Sequence, residues 1–252
     1  MKLVIANWKM NPRSVEDVKK YFAVFNRKKR NDTGITTVFC PPNLFVDSVV
    51  KYTKNNRKVC VGLQNIFWEE EGSHTGETGI LMAKNSGAKF LIVGHSERRA
   101  NGETNQEVAQ KVKAGLSNGF HVVLCVGESK RDNSGAYLRF IEKQLFESLD
   151  GVKKTDVKKL VIAYEPVWAI GVGKKPPATH DIAQTCMYIK KLVYKLYGKK
   201  IAEATSILYG GSTDAENVKN IIYEGSVDGV LVGRSSLNPH EFSEMITAVA
   251  KK

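Results

Sequence analysis

The sequence predicts a single closed (β/α)₈ barrel, and three observations support this fold class. Short apolar runs rich in β-branched residues alternate with longer segments of helical period along all 252 residues. Eight such runs occur, at a spacing of roughly 30 residues, which is typical of repeated βα units. No shift in composition and no linker divides the chain, so we expect one domain over residues 1–252. An open, doubly wound sheet usually has fewer than eight strands, so the number of strands favours a closed barrel.

The eight runs are predicted to be parallel strands covered on both faces. Most of them are apolar without alternation, as is typical of strands that lie between helices and a barrel interior. The predicted strands cover residues 3–7, 35–40, 59–63, 90–94, 121–126, 160–164, 205–210 and 228–233.

Two of the intervening helices have recognisable starts. Thr213 followed by Glu216 fits a capping box, and Asn238 before Pro239, with Glu241 in the first turn, fits an N-cap.

The net charge of +12 admits an anionic substrate, a nucleic acid or an acidic membrane surface as a partner. The basic residues are scattered in pairs and short runs among helix-like segments, and no basic segment is interleaved with stacking aromatics. This distribution favours solvated helix faces over a nucleic-acid surface. We therefore expect neither a nucleic-acid partner nor a membrane partner.

Other residue types narrow the class of protein further. The four cysteines are widely spaced without a CxxC pair, which predicts reduced core thiols. The five histidines show no metal-ligand spacing, so no metal is expected. The N-terminal apolar run is too short for a signal peptide, and no stretch is long enough to span a membrane. These features predict a soluble, cytoplasmic protein.

The ends of the predicted strands carry the residues that could perform chemistry. In a (β/α)₈ barrel the carboxyl ends of all strands face one mouth, where active sites lie. Each residue alone has a simpler explanation, such as a surface cation or a structural histidine. Their convergence on one mouth favours a functional site. The strands are followed there by Lys9, His95, Glu97, Glu165, the glycine-rich segment 210–212 and the segment 233–235.

The chemistry of these residues indicates acid–base catalysis on a phosphorylated small molecule. Glycine turns that lead into helix starts offer backbone N–H groups to an anion. His95 is predicted at a helix start, whose positive end disfavours a protonated ring. A neutral imidazole and the ammonium of Lys9 could both stabilise an enolate oxygen, and Glu165 could abstract a proton from carbon.

The chain resembles the triosephosphate isomerase family along its whole length. The matching stretches, in order, are NWKMN (7–11), TGE (75–77), GHSERR (94–99), CVGE (125–128), AYEPVWAIGxGK (163–174), YGGS (209–212) and DGVLVG (228–233). The resemblance implies the TIM-barrel fold and the cofactor-free interconversion of dihydroxyacetone phosphate and glyceraldehyde 3-phosphate through an enediolate. The reaction belongs to glycolysis and gluconeogenesis. Enzymes of this family are a standard example of a glutamate base beside a neutral histidine.

The resemblance also implies a role for each matching residue. Glu165 would move the proton, His95 would polarise the carbonyl, and Lys9 would stabilise negative charge. Asn7 would support the site, and Glu97 would pair with Lys9. Backbone N–H groups would bind the phosphate, with help from the Ser212 hydroxyl; they belong to Gly171, Ser212, Gly233 and Arg234.

A lid is implied by the segment after Glu165. Ile170 and Leu231 would close over the base and remove water from it. The lid segment 166–174 comprises Pro166, Val167, Trp168, Ala169, Ile170, Gly171, Val172, Gly173 and Lys174.

The long segment 68–79 is a mobile surface loop if its residues are considered alone. The resemblance instead implies a homodimer, in which Thr75, Gly76 and Glu77 dock on a second subunit. Thr75 would contact Asn7 of the partner subunit, and Glu77 would pair with Arg98 of the partner subunit.

The chain departs from the family pattern at a few positions, and these concern the lid and the phosphate site. Val172 replaces a usual threonine, and Arg234 replaces a common glycine. Pro176 has no N–H, so a hydrogen bond from that position to Tyr209 in a closed lid is unavailable.

Three alternatives to the isomerase remain open at this point. They are a phosphate-binding barrel without catalysis, a basic nucleic-acid-binding protein, and another barrel isomerase or lyase that acts on sugar phosphates.

Overall fold

The computed structural model describes residues 2–132, 134–171 and 173–250. Its eight parallel strands hydrogen-bond in sequence order, and β1 pairs with both β2 and β8, so that the sheet closes. The predicted (β/α)₈ barrel is thus confirmed. The strands are β1 Lys2–Asn7, β2 Ile35–Cys40, β3 Val59–Leu63, β4 Phe90–Val93, β5 His121–Val126, β6 Leu160–Tyr164, β7 Ser206–Tyr209 and β8 Gly229–Val232.

Helices follow the strands and form the outer layer. The described residues include α1 Val15–Phe25, α2 Val46–Thr53, α3 Ile80–Asn85, α4 Ser96–Ala100, α5 Asn105–Ser117, α6 Ala136–Ser148, α7 Thr179–Tyr197, α8 Lys199–Ala204, α9 Val218–Tyr223 and α10 Pro239–Ala250. Short 3₁₀ helices cover Asn43–Phe45, Val157–Lys159, Val167–Ala169 and Arg234–Leu237. Among the described helices, none is long and apolar enough to cross a lipid bilayer.

The strands are buried on both faces, which explains their unbroken apolar runs. Along β1, Leu3 and Ile5 point into the barrel, whereas Val4 and Ala6 pack in the layer between strands and helices. Both clusters consist of buried apolar side chains, so each strand contributes apolar area in two directions. The barrel interior is filled by Leu3, Ile5, Val38, Cys40, Phe90, Ile92, Val123, Cys125, Val161, Ala163, Leu208 and Leu231.

All four cysteines are free thiols, as predicted. Cys40, Cys125 and Cys186 are buried, and Cys60 is half-buried. Burial raises the pKa of all four thiols.

One of the two predicted helix starts is confirmed, and the other is wrong. Asn238 caps α10, since its Oδ1 accepts from the N–H of His240 at 2.9 Å. The predicted capping box from Thr213 to Glu216 does not form. The Thr213 hydroxyl donates to the Gly211 carbonyl, and Asp214 Oδ1 accepts the N–H of Glu216 instead. An aspartate one residue later offers a stronger acceptor, so α9 begins only at Val218.

Candidate active site

A cavity of about 380 Å³ lies at the carboxyl ends of the strands, where the sequence predicted the site. Its lining brings together residues from five βα loops. The lining includes Asn7, Lys9, His95, Glu165, Ile170, Gly171, Gly173, Lys174, Ser212, Leu231, Gly233 and Arg234. Glu97 and the first half of the lid, residues 166–169, are absent from this lining. Val172 lies outside the described residues.

Lys9 is held in an uncommon backbone conformation directly after β1. Its φ of 52° lies in the left-handed region, which non-glycine residues rarely occupy. Asn7 Oδ1 accepts the Lys9 N–H at 3.2 Å, and the Gln64 amide donates to the Lys9 carbonyl at 2.9 Å. These two contacts offset the strain and fix the direction in which the side chain leaves the strand. Asn7 therefore contacts Lys9 directly, and Gln64 is a second contact that the sequence did not reveal.

The Lys9 ammonium pairs with the predicted carboxylate. Lys9 Nζ lies 2.5 Å from Glu97 Oε1 at the entrance of the cavity. Both side chains are partly exposed, so the pair contributes little to stability. The ammonium stays close enough to His95 and Glu165 for its charge to act on both.

His95 ends the turn after β4 and caps the short helix α4. Its Nδ1 accepts the Glu97 N–H at 3.2 Å. A nitrogen that accepts a hydrogen bond carries no proton, so in the neutral ring the proton lies on Nε2, which faces Glu165. This arrangement supports a role as hydrogen-bond donor.

The direction of the His95 pKa differs from the sequence prediction. Burial lowers the pKa of His95, but the carboxylates of Glu165 and Glu97 outweigh burial and raise it. The prediction that the helix start keeps the ring uncharged overlooked these two carboxylates. Helix α4 has only five residues, so its dipole is weak beside a full charge at contact distance.

Glu165 follows β6 and is fully buried. Its Oε2 accepts the Ser96 N–H at 2.9 Å, and its Oε1 lies 3.0 Å from His95 Nε2 without hydrogen-bond geometry. Burial raises the pKa of Glu165, but His95, the Ser96 N–H and Lys9 together lower it below its usual value. The carboxylate is therefore ionised at neutral pH, as a base must be.

Two glycines allow the strand ends to pack against Glu165. A Cβ at Gly127 would collide with the carbonyl oxygen of Glu165, and a Cβ at Gly210 would lie 2.9 Å from Glu165 Cγ. The backbone and the side chain of Glu165 are thus confined from two neighbouring strands. Such confinement restricts where the carboxylate can lie.

The glycine-rich turns after β7 and β8 face the same cavity. Ser212 and Gly233 line it, and the Ser212 hydroxyl donates to the Ala169 carbonyl at 3.0 Å. Arg234 lines it with an exposed side chain and begins a short 3₁₀ helix. These turns meet Ile170, Gly171, Gly173 and Lys174 of the lid across the cavity, as an anion site between them would require.

The leading part of the lid is anchored by residues that the sequence did not single out for this purpose. Glu128, after β5, accepts from Trp168 Nε1 at 2.8 Å and from the Tyr164 hydroxyl at 2.9 Å. Arg131 Nη1 lies 3.5 Å from the same carboxylate. The CVGE motif contained Glu128, but only the folded chain shows that it contacts the lid.

Tyr209 is a buried tyrosine whose hydroxyl oxygen lacks a hydrogen-bond partner among the described residues. Burial raises its pKa. Pro176 cannot donate to it. Tyr209→Phe is therefore expected to change turnover by less than about threefold, because no existing hydrogen bond is lost.

Steady-state kinetics with Ser212→Ala as the comparison would check this expectation, since Ser212 does donate a hydrogen bond to the lid. A turnover loss of more than tenfold in Tyr209→Phe would contradict it.

The segment that was expected to dock on a second subunit is exposed. Thr75, Gly76 and Glu77 are all exposed, and Arg98 is half-buried with its Nε donating to Glu103 at 3.0 Å. Two contacts lie within or beside this segment. Phe67 stacks on Trp68 at 4.0 Å, and His74 Nε2 contacts Glu69 at 2.9 Å.

Within residues 2–132, 134–171 and 173–250, no cluster of three or more His, Cys, Asp or Glu side chains is arranged to hold a metal ion.

Comparison with known proteins agrees with this geometry. The model of the family described as triosephosphate isomerase matches residues 2–249. A triosephosphate isomerase of Thermoanaerobacter sp. strain X514 is 37% identical over 246 residues, which are 97% of this chain and 98% of that protein. Those of Carboxydothermus hydrogenoformans and Cytophaga hutchinsonii are each 38% identical, over 96% and 97% of both chains respectively. The chain therefore belongs to the triosephosphate isomerase family.

Proposed function

We propose that the protein interconverts dihydroxyacetone phosphate and D-glyceraldehyde 3-phosphate, as an aldose–ketose isomerase of glycolysis and gluconeogenesis. The observation that carries this proposal is the meeting of Glu165, His95 and Lys9 in one cavity, opposite two glycine-rich turns. One base, one hydrogen-bond donor and one cation match the needs of proton transfer through an enediolate.

In the proposed mechanism Glu165 removes a proton from one carbon and returns it to the neighbouring carbon. His95 gives its Nε2 proton to the former carbonyl oxygen and takes the proton of the neighbouring hydroxyl, so that the hydroxyl hydrogen moves as well. Lys9 stabilises the negative charge on these oxygens electrostatically. The low pKa of Glu165 in the free enzyme favours the ionised form but limits its basicity. Closure of Ile170 and Leu231 over the carboxylate would remove water and increase its basicity when substrate is bound.

The phosphate is proposed to bind between the lid tip and the two turns. The N–H groups of Gly171, Ser212, Gly233 and Arg234 would donate to its oxygens. Backbone donors suit this task because they are fixed in direction and need no counter-charge. The closed lid would also protect the enediolate from losing its phosphate to water.

A coupled assay tests the proposal. Purified protein is mixed with glyceraldehyde 3-phosphate, and the dihydroxyacetone phosphate formed is reduced with NADH by an auxiliary dehydrogenase. Turnover well above the uncatalysed rate supports the isomerase. No turnover by a folded chain would instead support a phosphate-binding barrel without catalysis. Salt-dependent retardation of DNA in a gel would support the nucleic-acid alternative.

The charge of +12 predicts a salt dependence of the specificity constant. If the positive field steers the dianionic substrate, kcat/KM falls by at least about threefold as the Debye length shrinks from about 30 to about 8 Å. The value of kcat at saturating substrate serves as the control, because it does not include the encounter. If kcat/KM does not change with salt, the positive charge does not steer the substrate and serves solubility alone.

The homodimer and the cytoplasmic location remain proposals. The exposed segment 75–77 supports the former, because it presents polar groups that could pair with a second copy. Sedimentation equilibrium of the native chain and of Thr75→Arg would test it. A native monomer at micromolar concentration would overturn the dimer.

A further inference from the structure

Arg131 lies in the loop between β5 and α6 and contacts three other elements, β6, α6 and α7. Its Nη1 donates to the Tyr164 hydroxyl and to Thr185 Oγ1, each at 3.1 Å. Its guanidinium carbon lies 4.0 Å from the centre of the Tyr137 ring, and its Nη2 lies 3.6 Å from Asp181. The side chain is largely buried by these contacts.

The carboxylate that Arg131 approaches is almost completely buried. Glu128 is 1% exposed, and Arg131 is its ion-pair partner among the described residues. A buried carboxylate needs a counter-charge or hydrogen bonds to stay ionised. All of its side-chain contacts here use Oε1, while Oε2 lacks a partner in the described part of the chain.

Glu128 in turn holds the start of the lid at two points. Its Oε1 accepts from Trp168 Nε1 at 2.8 Å, and its backbone carbonyl accepts the Val167 N–H at 3.0 Å. A hydrogen bond to an ionised acceptor is roughly twice as strong as one between neutral groups. The Trp168 contact therefore depends on where the Glu128 carboxylate lies, and Arg131 is the cation that contacts this carboxylate.

We propose that Arg131 is a positioning residue for catalysis, which holds the Glu128 carboxylate in place so that Trp168 holds the leading end of the lid. Arg131 does not line the cavity and touches no reacting atom. Its effect reaches the substrate only through Glu128, Trp168 and the lid. The proposal rests on the proposed isomerase function, since it assigns Arg131 a part in the same reaction.

A double-mutant cycle of Arg131→Met and Trp168→Phe tests the linkage. Arg131→Met is expected to lower kcat/KM about tenfold, the scale of one charge-assisted hydrogen bond. In the Trp168→Phe background the same change is expected to cost less than about twofold, because the hydrogen bond it supports is already absent. Equal losses in both backgrounds would overturn the proposal, and so would a native kcat/KM in Arg131→Met.

Two further variants separate the charge from general stability. Arg131→Lys keeps a cation beside Glu128 and is expected to retain most of the activity; a full tenfold loss in this folded variant would contradict a role of charge. Arg139→Met on α6 removes an exposed arginine and is the matched control. If Arg131→Met does not fold, Arg131→Gln replaces it in the cycle, with the same expected outcomes.

A readout independent of activity distinguishes this proposal from the isomerase itself. The measurement is tryptophan fluorescence. The emission of Trp168 is obtained for each protein by subtracting the spectrum of the same protein with Trp168→Phe added. Its emission maximum is expected to shift in Arg131→Met, as the contact between the indole and its acceptor changes, and to stay unchanged in Arg139→Met. An unchanged spectrum in Arg131→Met overturns the linkage. If the native chain is inactive, the proposed isomerase function is refuted. The spectra would still test whether Arg131 supports the contact between Trp168 and Glu128.

Discussion

Glu165→Gln is expected to lower isomerase turnover by about three orders of magnitude, because an amide cannot accept the proton from carbon at neutral pH. Glu165 is the carboxylate that the cavity brings within 3.0 Å of His95 Nε2. The substitution keeps the size of the side chain and an oxygen that can accept the Ser96 N–H. KM is therefore expected to change much less than kcat.

Steady-state kinetics by the coupled assay measure the effect, and circular dichroism checks that the variant is folded. Glu16→Gln, on the exposed face of α1, is the matched control for loss of a carboxylate and should retain native turnover. A Glu165→Gln variant with turnover within tenfold of the native value would refute the assignment of Glu165 as the base.

Gly127→Ala is expected to have the second largest effect, although residue 127 contributes no functional group. The added methyl group would overlap the carbonyl oxygen of Glu165, so β5 and β6 must separate at the point that positions the base. Overpacking of this kind destabilises a core by about 1–3 kcal/mol. A displacement of the base by about 1 Å can reduce turnover about a hundredfold.

Thermal unfolding and kcat are measured together for this variant. Gly34→Ala, just before β2 at the other end of the barrel, is the control, since a Cβ there meets no atom within 4 Å. Gly34 has a left-handed φ of 73°, so the alanine variant strains the backbone without a steric clash. It is expected to lose stability but to keep native kcat. If Gly127→Ala also keeps native kcat, the close contact does not position Glu165.

The fold was predictable because its signal is local and repeated. Each strand is an apolar run that can be recognised within a few residues, and the eight predicted strands agree with the structure to within one residue at each end. The order of strands then determines which ends share a mouth. This topological rule is why Lys9, His95 and Glu165 could be placed in one cavity without coordinates.

The supporting contacts were not predictable, because they join residues that are far apart in sequence and depend on side-chain conformation. Gln64 contacts Lys9 through one amide, and nothing near Gln64 indicates this partner. The predicted capping box at Thr213 failed for a similar reason. Two competing acceptors lie one residue apart, and the local backbone selects Asp214.

The pKa of His95 illustrates the same limit. The sequence correctly placed the ring at a helix start, from which a lowered pKa was expected. The fold adds two carboxylates within contact distance, and their charges raise it. A full charge nearby outweighs the partial charge of a five-residue helix.

The sequence by itself determined the (β/α)₈ barrel, the mouth that carries the chemistry and the residue types that meet there, since these follow from periodicity and strand order. Only the tertiary structure decided how Glu165 is confined by Gly127 and Gly210, and how Arg131 and Glu128 connect to the lid. Such contacts depend on the register and packing of neighbouring strands. A difference of 1 Å there changes chemistry without leaving a pattern in the sequence.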